Sequence, residues 1–209
     1  MKVIGKHYDI LLALFAALLI ISNIAATKLF AVGPLIFDGG AILFPLTYIL
    51  GDIFAEVYGL KRTKRAIYVA FGASALAALT FVAVQYLPGA ADYTNQAAFE
   101  AVLGFVPRIV LASLAGFFCG QFINAVVLVK IKEKWGEKRL WIRLVSSTVA
   151  GELVDTTIFC SVAFLGVLSG WSFANYIIVG VVYKVAIEII MLPVTYRVIR
   201  LLKSQETRP

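Results

Sequence analysis

The chain has 209 residues, of which 61% are hydrophobic and 15% are charged, and its net charge is +7. A soluble domain usually carries about 25% charged residues. The composition therefore excludes an ordinary soluble domain and indicates one membrane-embedded domain over residues 1–209. Because the bases cluster in short segments between apolar runs, the positive charge does not indicate a nucleic-acid partner.

Six apolar runs of about 20 residues predict six membrane-spanning helices, and hence an all-α, polytopic membrane protein. In chain order, the predicted spans cover about residues 8–31, 41–59, 66–87, 107–129, 141–168 and 172–200. The first span also resembles a cleavable signal, but its polar end, SNIAATK, favours a retained helix. The long loop 88–106 predicts a short helix on the outer surface.

The basic residues predict the orientation of these spans. Sixteen of the 19 lysines and arginines lie before span 1, between spans 2 and 3, between or flanking spans 4 and 5, or at the end of the chain from Arg197 onwards. The three others are Lys28, Arg108 and Lys184. Because cytoplasmic loops carry the excess of bases, both termini are predicted to lie in the cytoplasm.

The second span is predicted to be short. Pro45 fits the first turn of a helix, and Gly59 marks a stop, which leaves about 15 residues or about 22 Å. The hydrocarbon core is about 30 Å thick. Short spans interrupted by glycine or proline point to a binding site, although a full helix with a tolerated proline is the alternative.

Five acidic residues lie deep inside the apolar runs, and four of them form two close pairs. They are Asp52 with Glu56, Glu152 with Asp155, and Glu188. An unpaired carboxylate at the centre of a bilayer costs about 2.5–3.5 kcal/mol. We therefore expect these groups to converge on one polar cavity, of the kind that holds or passes a solute.

Helical spacing predicts which side chains share a face with the acids. The predicted stripes are Tyr48, Asp52 and Glu56 in span 2, Glu152, Asp155 and Phe159 in span 5, and Tyr176, Gly180, Lys184 and Glu188 in span 6. Such a mixture suits a flat, polar, partly aromatic solute. Lys184 and Glu188 could instead pair with each other, whereas adjacent acids need a cation, a proton or a donor-rich ligand.

Three other features have two interpretations each. Lys28 could bind solute or extend to the membrane interface, and Asn23 could bind solute or a neighbouring helix. The small-residue stripe of Ala112, Gly116 and Gly120 predicts close packing inside the chain, with a homodimer face as the alternative.

The sequence contains few of the motifs and residues that indicate an enzyme. The chain has no HExxH, GxSxG or P-loop motif. His7 is the single histidine, and both cysteines lie in apolar runs. We therefore expect a protein that is not an enzyme, with no catalytic residue, no metal site and no cofactor.

Three stretches carry a family resemblance: SNIAATKLF, FPLTYILGDIFAEVYG and GELVDTTIF. They resemble the bacterial queuosine precursor transporter family, within the vitamin uptake transporters. The resemblance implies import of 7-cyano-7-deazaguanine and 7-aminomethyl-7-deazaguanine across the inner membrane, for the queuosine modification of tRNA. The family is similar to the six-helix substrate-binding components of ECF vitamin importers, yet is expected to work without their ATPase module.

The resemblance also implies site residues. The three motifs contain Asn23 and Lys28; Tyr48, Asp52, Glu56 and Tyr58; and Glu152, Asp155 and Phe159. A deazaguanine presents N–H donors that suit a carboxylate, and its ring suits Tyr48, Tyr58 or Tyr183. Together with Lys184 and Glu188, these residues form the predicted substrate site, where a neighbouring acid could take up a proton.

Two other functions stay open. One is a substrate-binding component of an ECF-type importer, which needs a separate ATPase module. The other is a membrane enzyme whose acids hold Mg²⁺.

Overall fold

The computed structural model describes residues 5, 7–135 and 140–206, without the side chains of residues 48, 125, 128–129, 132–135, 140–145 and 206. The fold is mostly helical. The helices are α1 (Tyr8–Ala25), α2 (Phe44–Ile53), α3 (Gly59–Gln85), α4 (Gln96–Leu103), α5 (Val106–Trp135), α6 (Leu140–Phe164) and α7 (Gly170–Glu206). Two strands, β1 (Leu29–Val32) and β2 (Leu35–Asp38), form a hairpin between α1 and α2.

The hairpin corrects the prediction for span 1, which was expected to stay helical to residue 31. The helix ends at Ala25, and a turn leads into β1. Gly33 has a φ of +59°, a left-handed conformation that glycine adopts at low cost, so the chain reverses between the strands there. The fold is therefore not purely α-helical, and Lys28 follows α1 instead of lying within it.

The second span is interrupted where the sequence predicted. Pro45 lies in the first turn of α2, and a π-helical turn, Phe54–Tyr58, follows Ile53. Gly59 then takes a φ of +76°. Because a residue with a side chain is strained in that conformation, glycine marks the break between α2 and α3.

The remaining helices follow the predicted spans with shifted ends. α3 begins at Gly59, so the basic segment KRTKR (residues 61–65), which the predicted spans leave as a loop between spans 2 and 3, is helical. α4 is the short helix expected in loop 88–106. α5 and α7 cover the fourth and sixth predicted spans, whereas α6 ends at Phe164, before the predicted end at residue 168. α7 contains Pro193 without ending there.

Four helical segments of the described chain are long and apolar enough to cross a membrane. They are Tyr8–Ala25, Phe44–Gln85, Gln96–Asn124 and Gly170–Gln205, the second of which contains α2, the π-helical turn and α3. Each exposes large apolar side chains, such as Leu14, Leu76, Phe122 and Ile190. Exposed apolar helices of this length indicate a multi-pass membrane protein.

The chain divides into two compact units. The first contains Met1–Lys28, Asp38–Pro107 and Ile187–Pro209, and the second contains Leu29–Phe37 and Arg108–Ala186. The first unit has an apolar core around Tyr8, Ile53, Phe54 and Ile199. The second unit holds the hairpin and the greater part of α5, α6 and α7.

Candidate functional site

In the second unit, one lysine of α7 binds two acids of α6. The Nζ atom of Lys184 lies 3.4 Å from Oε2 of Glu152 and donates a hydrogen bond to Oδ2 of Asp155. The three side chains are only 15–22% exposed. The structure thus supplies the cation that adjacent acids require in an apolar span, and we call these three residues the ion cluster.

Glycines allow α5 to approach the ion cluster closely. A Cβ atom at Gly116 would lie 2.8 Å from both the carbonyl oxygen and Oδ1 of Asp155, and one at Gly120 would lie 2.8 Å from the Asp155 Cβ. On α6, a Cβ at Gly151 would lie 2.9 Å from the Cβ of Asn124. The predicted packing of the small-residue stripe inside the chain is therefore confirmed, and the homodimer stays a prediction.

A buried hydroxyl lies one helical turn beyond Glu152. Thr156 is 2% exposed, and its Oγ1 has no hydrogen-bond partner among the described residues. Its methyl group faces Gly180, one turn before Lys184 on α7, where a Cβ would lie 2.9 Å away. Because buried polar atoms are normally paired, this hydroxyl has unused capacity for a ligand.

Sequence reasoning missed Thr156. A signal was present, because a residue four positions after Glu152 lies on the same helical face. A helical threonine usually donates to a carbonyl of its own helix, however, as the Ser161 hydroxyl does to Thr157. Only the structure shows that Thr156 does not.

The hairpin is attached to α7 by a side chain that the sequence did not single out. Asn175 accepts a hydrogen bond from the Ile36 amide at 3.0 Å and donates one to the Pro34 carbonyl at 3.1 Å. Phe37 of β2 then contacts the edge of Tyr183, with ring centroids 5.5 Å apart. Tyr183, predicted to stack on solute, therefore packs against the hairpin.

Two further residues of the second unit have structural contacts. Arg108 donates from Nε to the Val162 carbonyl and from Nη2 to the Leu165 carbonyl, both at 2.6 Å. These bonds satisfy carbonyls at the end of α6, which explains a base outside the pattern predicted for the cytoplasmic side. Phe159, a predicted site residue, packs edge-on against Phe164 at 6.0 Å.

The first unit contains the other acidic pair, and its two members differ. Asp52 is partly buried on α2 and forms no ion pair with a described base. Glu56 is 62% exposed on the π-helical turn and lies 3.2 Å from Lys203. Glu56 is thus at the surface of its unit, and Asp52 is the member without a described partner cation.

Two more predicted residues of the first unit are buried or packed. Asn23 is 5% exposed, and its Nδ2 has no hydrogen-bond partner within the described chain. Tyr58 packs against Tyr8 at 5.2 Å and lies beneath the Arg62 guanidinium. Asn23 therefore retains an unused donor, whereas Tyr58 belongs to an aromatic cluster.

The predicted site residues divide between the two units. The first unit contains Asn23, Lys28, Asp52, Glu56, Tyr58 and Glu188, and the second unit contains Glu152, Asp155, Phe159, Tyr183 and Lys184. The side chain of Tyr48 lies outside the described residues, although its backbone is part of α2. Convergence of both acidic pairs on one cavity stays a prediction.

Residues 38–198 match the model of a family described as "Putative vitamin uptake transporter". The chain belongs to this family. Two of the three resembling motifs fall within the matched residues, whereas Asn23 and Lys28 precede them. The family resemblance predicted from the sequence is therefore confirmed.

Named relatives support the same family. A "Probable queuosine precursor transporter" of Bacillus subtilis (strain 168) is 31% identical over 171 residues, which are 80% of this chain and 73% of the relative. A protein with the same name from Haemophilus influenzae is 23% identical, and the "Queuosine precursor transporter" of Escherichia coli (strain K12) is 25% identical. Each match covers 60% of this chain and about half of the relative, 51% and 54% respectively. No solved structure matches the chain.

Proposed function

We propose that the chain is a transporter that imports queuosine precursors across the bacterial inner membrane. Family membership and the names of the relatives support a transporter role. The proposed solutes are 7-cyano-7-deazaguanine and 7-aminomethyl-7-deazaguanine, carried by a single domain with six spans and both termini in the cytoplasm. A transporter role also argues against enzymatic activity.

The observation that carries the proposal is the ion cluster between apolar helices. With both acids ionised, Lys184 would balance one of their two negative charges, and the cluster would carry a net charge of −1. Carboxylate oxygens accept hydrogen bonds from a two-donor base edge, and the unused Thr156 hydroxyl can donate or accept one more. Polar groups of this kind in apolar helices mark solute or ion pathways.

The first unit contains its own set of polar groups that could bind solute. Asp52 offers a carboxylate without a described partner cation, and Asn23 offers an unused amide donor. In this proposal one carboxylate binds the base edge, while another takes up the aminomethyl cation or a proton. Transport is coupled to a proton gradient if the second acid is protonated from the outside and releases its proton to the inside.

Uptake of labelled deazaguanines by liposomes that contain only this chain tests the proposal, with and without a pH gradient. We expect uptake, and we expect Asp52→Asn and Asp155→Asn each to reduce it strongly. Asp92→Asn is the matched control, because Asp92 is an exposed acid outside the helices. Full uptake by both site variants would refute the proposed site.

The same liposomes separate the other two functions. A binding component that depends on a separate ATPase would bind the solute but would not accumulate it. An enzyme with carboxylate-held Mg²⁺ would lose activity when a chelator is added, whereas uptake by a metal-free transporter would continue. Equal uptake with and without a pH gradient would show facilitated diffusion instead of proton coupling.

A further inference from the structure

The start of α3 lines an open cavity of about 430 Å³. Its lining consists of three bases followed by an aromatic and an apolar side chain: Lys61, Lys64, Arg65, Tyr68 and Val69. We call these five residues the basic face. The predicted solute-binding residues are not among the residues that line this cavity.

The basic face is a single stripe of the helix. Its members follow the three- and four-residue spacing that aligns side chains on one side of a helix. The opposite side of α3 is buried through small residues, including Ala66, Ala70 and Ser74. Helical packing therefore turns the three bases outwards together.

Arg62, the remaining base of KRTKR, has a different environment. Its guanidinium lies 5.7 Å from the ring centre of Tyr8 and 5.9 Å from that of Tyr58. Its carbonyl accepts a hydrogen bond from the Tyr8 hydroxyl. Arg62 thus joins α3 to α1, while its neighbours in the sequence form the cavity wall.

Among the described residues, the three outward bases have no acidic partner. Lys61, Lys64 and Arg65 form no ion pair with any acid in the described part of the chain. Like charges three and four residues apart on a helix repel one another. An anion in the cavity would relieve this repulsion by neutralising part of the positive charge of the three bases.

The apolar continuation of the stripe identifies the kind of anion. Tyr68 is 66% exposed and Val69 is 43% exposed, and Leu76 is exposed two turns further along α3. Positive charge followed by exposed apolar surface along one helix matches an anionic head group joined to an acyl chain. A small soluble anion would use the bases only.

We propose that the basic face binds an anionic phospholipid, with the phosphate against Lys61, Lys64 and Arg65 and the acyl chain along Tyr68 and Val69. Bases beside a membrane-spanning helix bind anionic head groups by charge attraction. The tyrosine lies where an amphipathic ring is favoured, between the head-group and acyl regions. The lipid would hold the start of α3 at a defined depth in the membrane.

Binding of short-chain phosphatidylglycerol to the purified full-length chain in neutral detergent tests the proposal. Phosphatidylcholine of equal chain length is the uncharged comparison, and inorganic phosphate is the soluble anion. One base near an anionic surface contributes about fivefold to binding. We therefore expect the triple variant Lys61→Gln, Lys64→Gln, Arg65→Gln to lose at least about tenfold in phosphatidylglycerol binding, with phosphatidylcholine binding unchanged.

A second triple variant is the control for net charge. This variant removes the same amount of positive charge from the end of α7, through Arg197→Gln, Arg200→Gln and Lys203→Gln. It should preserve phosphatidylglycerol binding. Equal losses in both variants, no loss in the first, or full competition by inorganic phosphate would each overturn the proposal. If the first variant does not fold, Lys64→Gln alone should weaken binding about fivefold, and unchanged binding would again overturn it.

Discussion

Replacing Lys184 by methionine tests the ion cluster directly. Methionine keeps an unbranched side chain but leaves Glu152 and Asp155 without their cation. Removing one partner of a buried ion pair typically costs about 3–5 kcal/mol. Because these side chains are 15–22% exposed, some water screens the acids, and we expect a loss near the lower end, about 3 kcal/mol.

The measurement is reversible unfolding in mixed micelles, followed as the free energy of unfolding. Lys203→Met is the matched control, because it breaks the Lys203–Glu56 pair, whose side chains are 50% and 62% exposed. Exposed ion pairs contribute about 0–1 kcal/mol, so the control should be nearly as stable as the unaltered chain. A loss for Lys184→Met no larger than the loss for Lys203→Met would refute the reasoning.

A double variant separates the charge from the shape of the side chain. Lys184→Met combined with Asp155→Asn removes one positive and one negative group, so only Glu152 stays charged. Contacting groups show coupling energies of about 0.5–3 kcal/mol, and we expect the double variant to recover about 2 kcal/mol of the loss. Additive losses would show that the lysine acts through packing and not through its charge.

Three further changes test close contacts within the second unit. Gly116→Ala should lower the free energy of unfolding by about 1–3 kcal/mol and impair uptake, because its Cβ would clash with α6. Gly72→Ala, whose Cβ meets nothing within 4 Å, is the control and should be neutral or stabilising. Equal stabilities of the two variants would contradict the close approach of α5 to α6. Asn175→Leu should speed hydrogen exchange of the Ile36 amide, measured by mass spectrometry, and unchanged protection would contradict the hairpin attachment. Arg108→Lys should lower the unfolding temperature, because a lysine cannot reproduce two forked hydrogen bonds; an unchanged temperature would count against the α6 cap.

Much of the fold could be predicted from local signals. Long apolar runs predict helices because a buried or lipid-facing backbone must satisfy its own hydrogen bonds. The stop at Gly59 could be predicted because glycine tolerates a positive φ. The hairpin was missed because its residues are apolar and short runs of this kind fit either a helix end or a strand.

The candidate site could be predicted in composition but not in pairing. Glu152 and Asp155 were identified because two acids in an apolar run are costly unless a partner is near. Their partner, Lys184, lies 29 residues from Asp155 in the chain. The sequence left a pair with Glu188 open, because spacing along one helix says nothing about which neighbouring helix a side chain faces.

The amino-acid sequence by itself determined that the chain is a helical membrane protein of this family, that acids lie in its apolar runs, and that a break follows α2. These properties depend on composition and on neighbours within a few residues. Only the tertiary structure decided that Lys184 joins the α6 acids, that Thr156 keeps an unused hydroxyl, and that KRTKR turns Arg62 inwards and three bases outwards. The physical reason is that such contacts depend on how each helix is rotated and packed, which is set by side chains far apart in the chain.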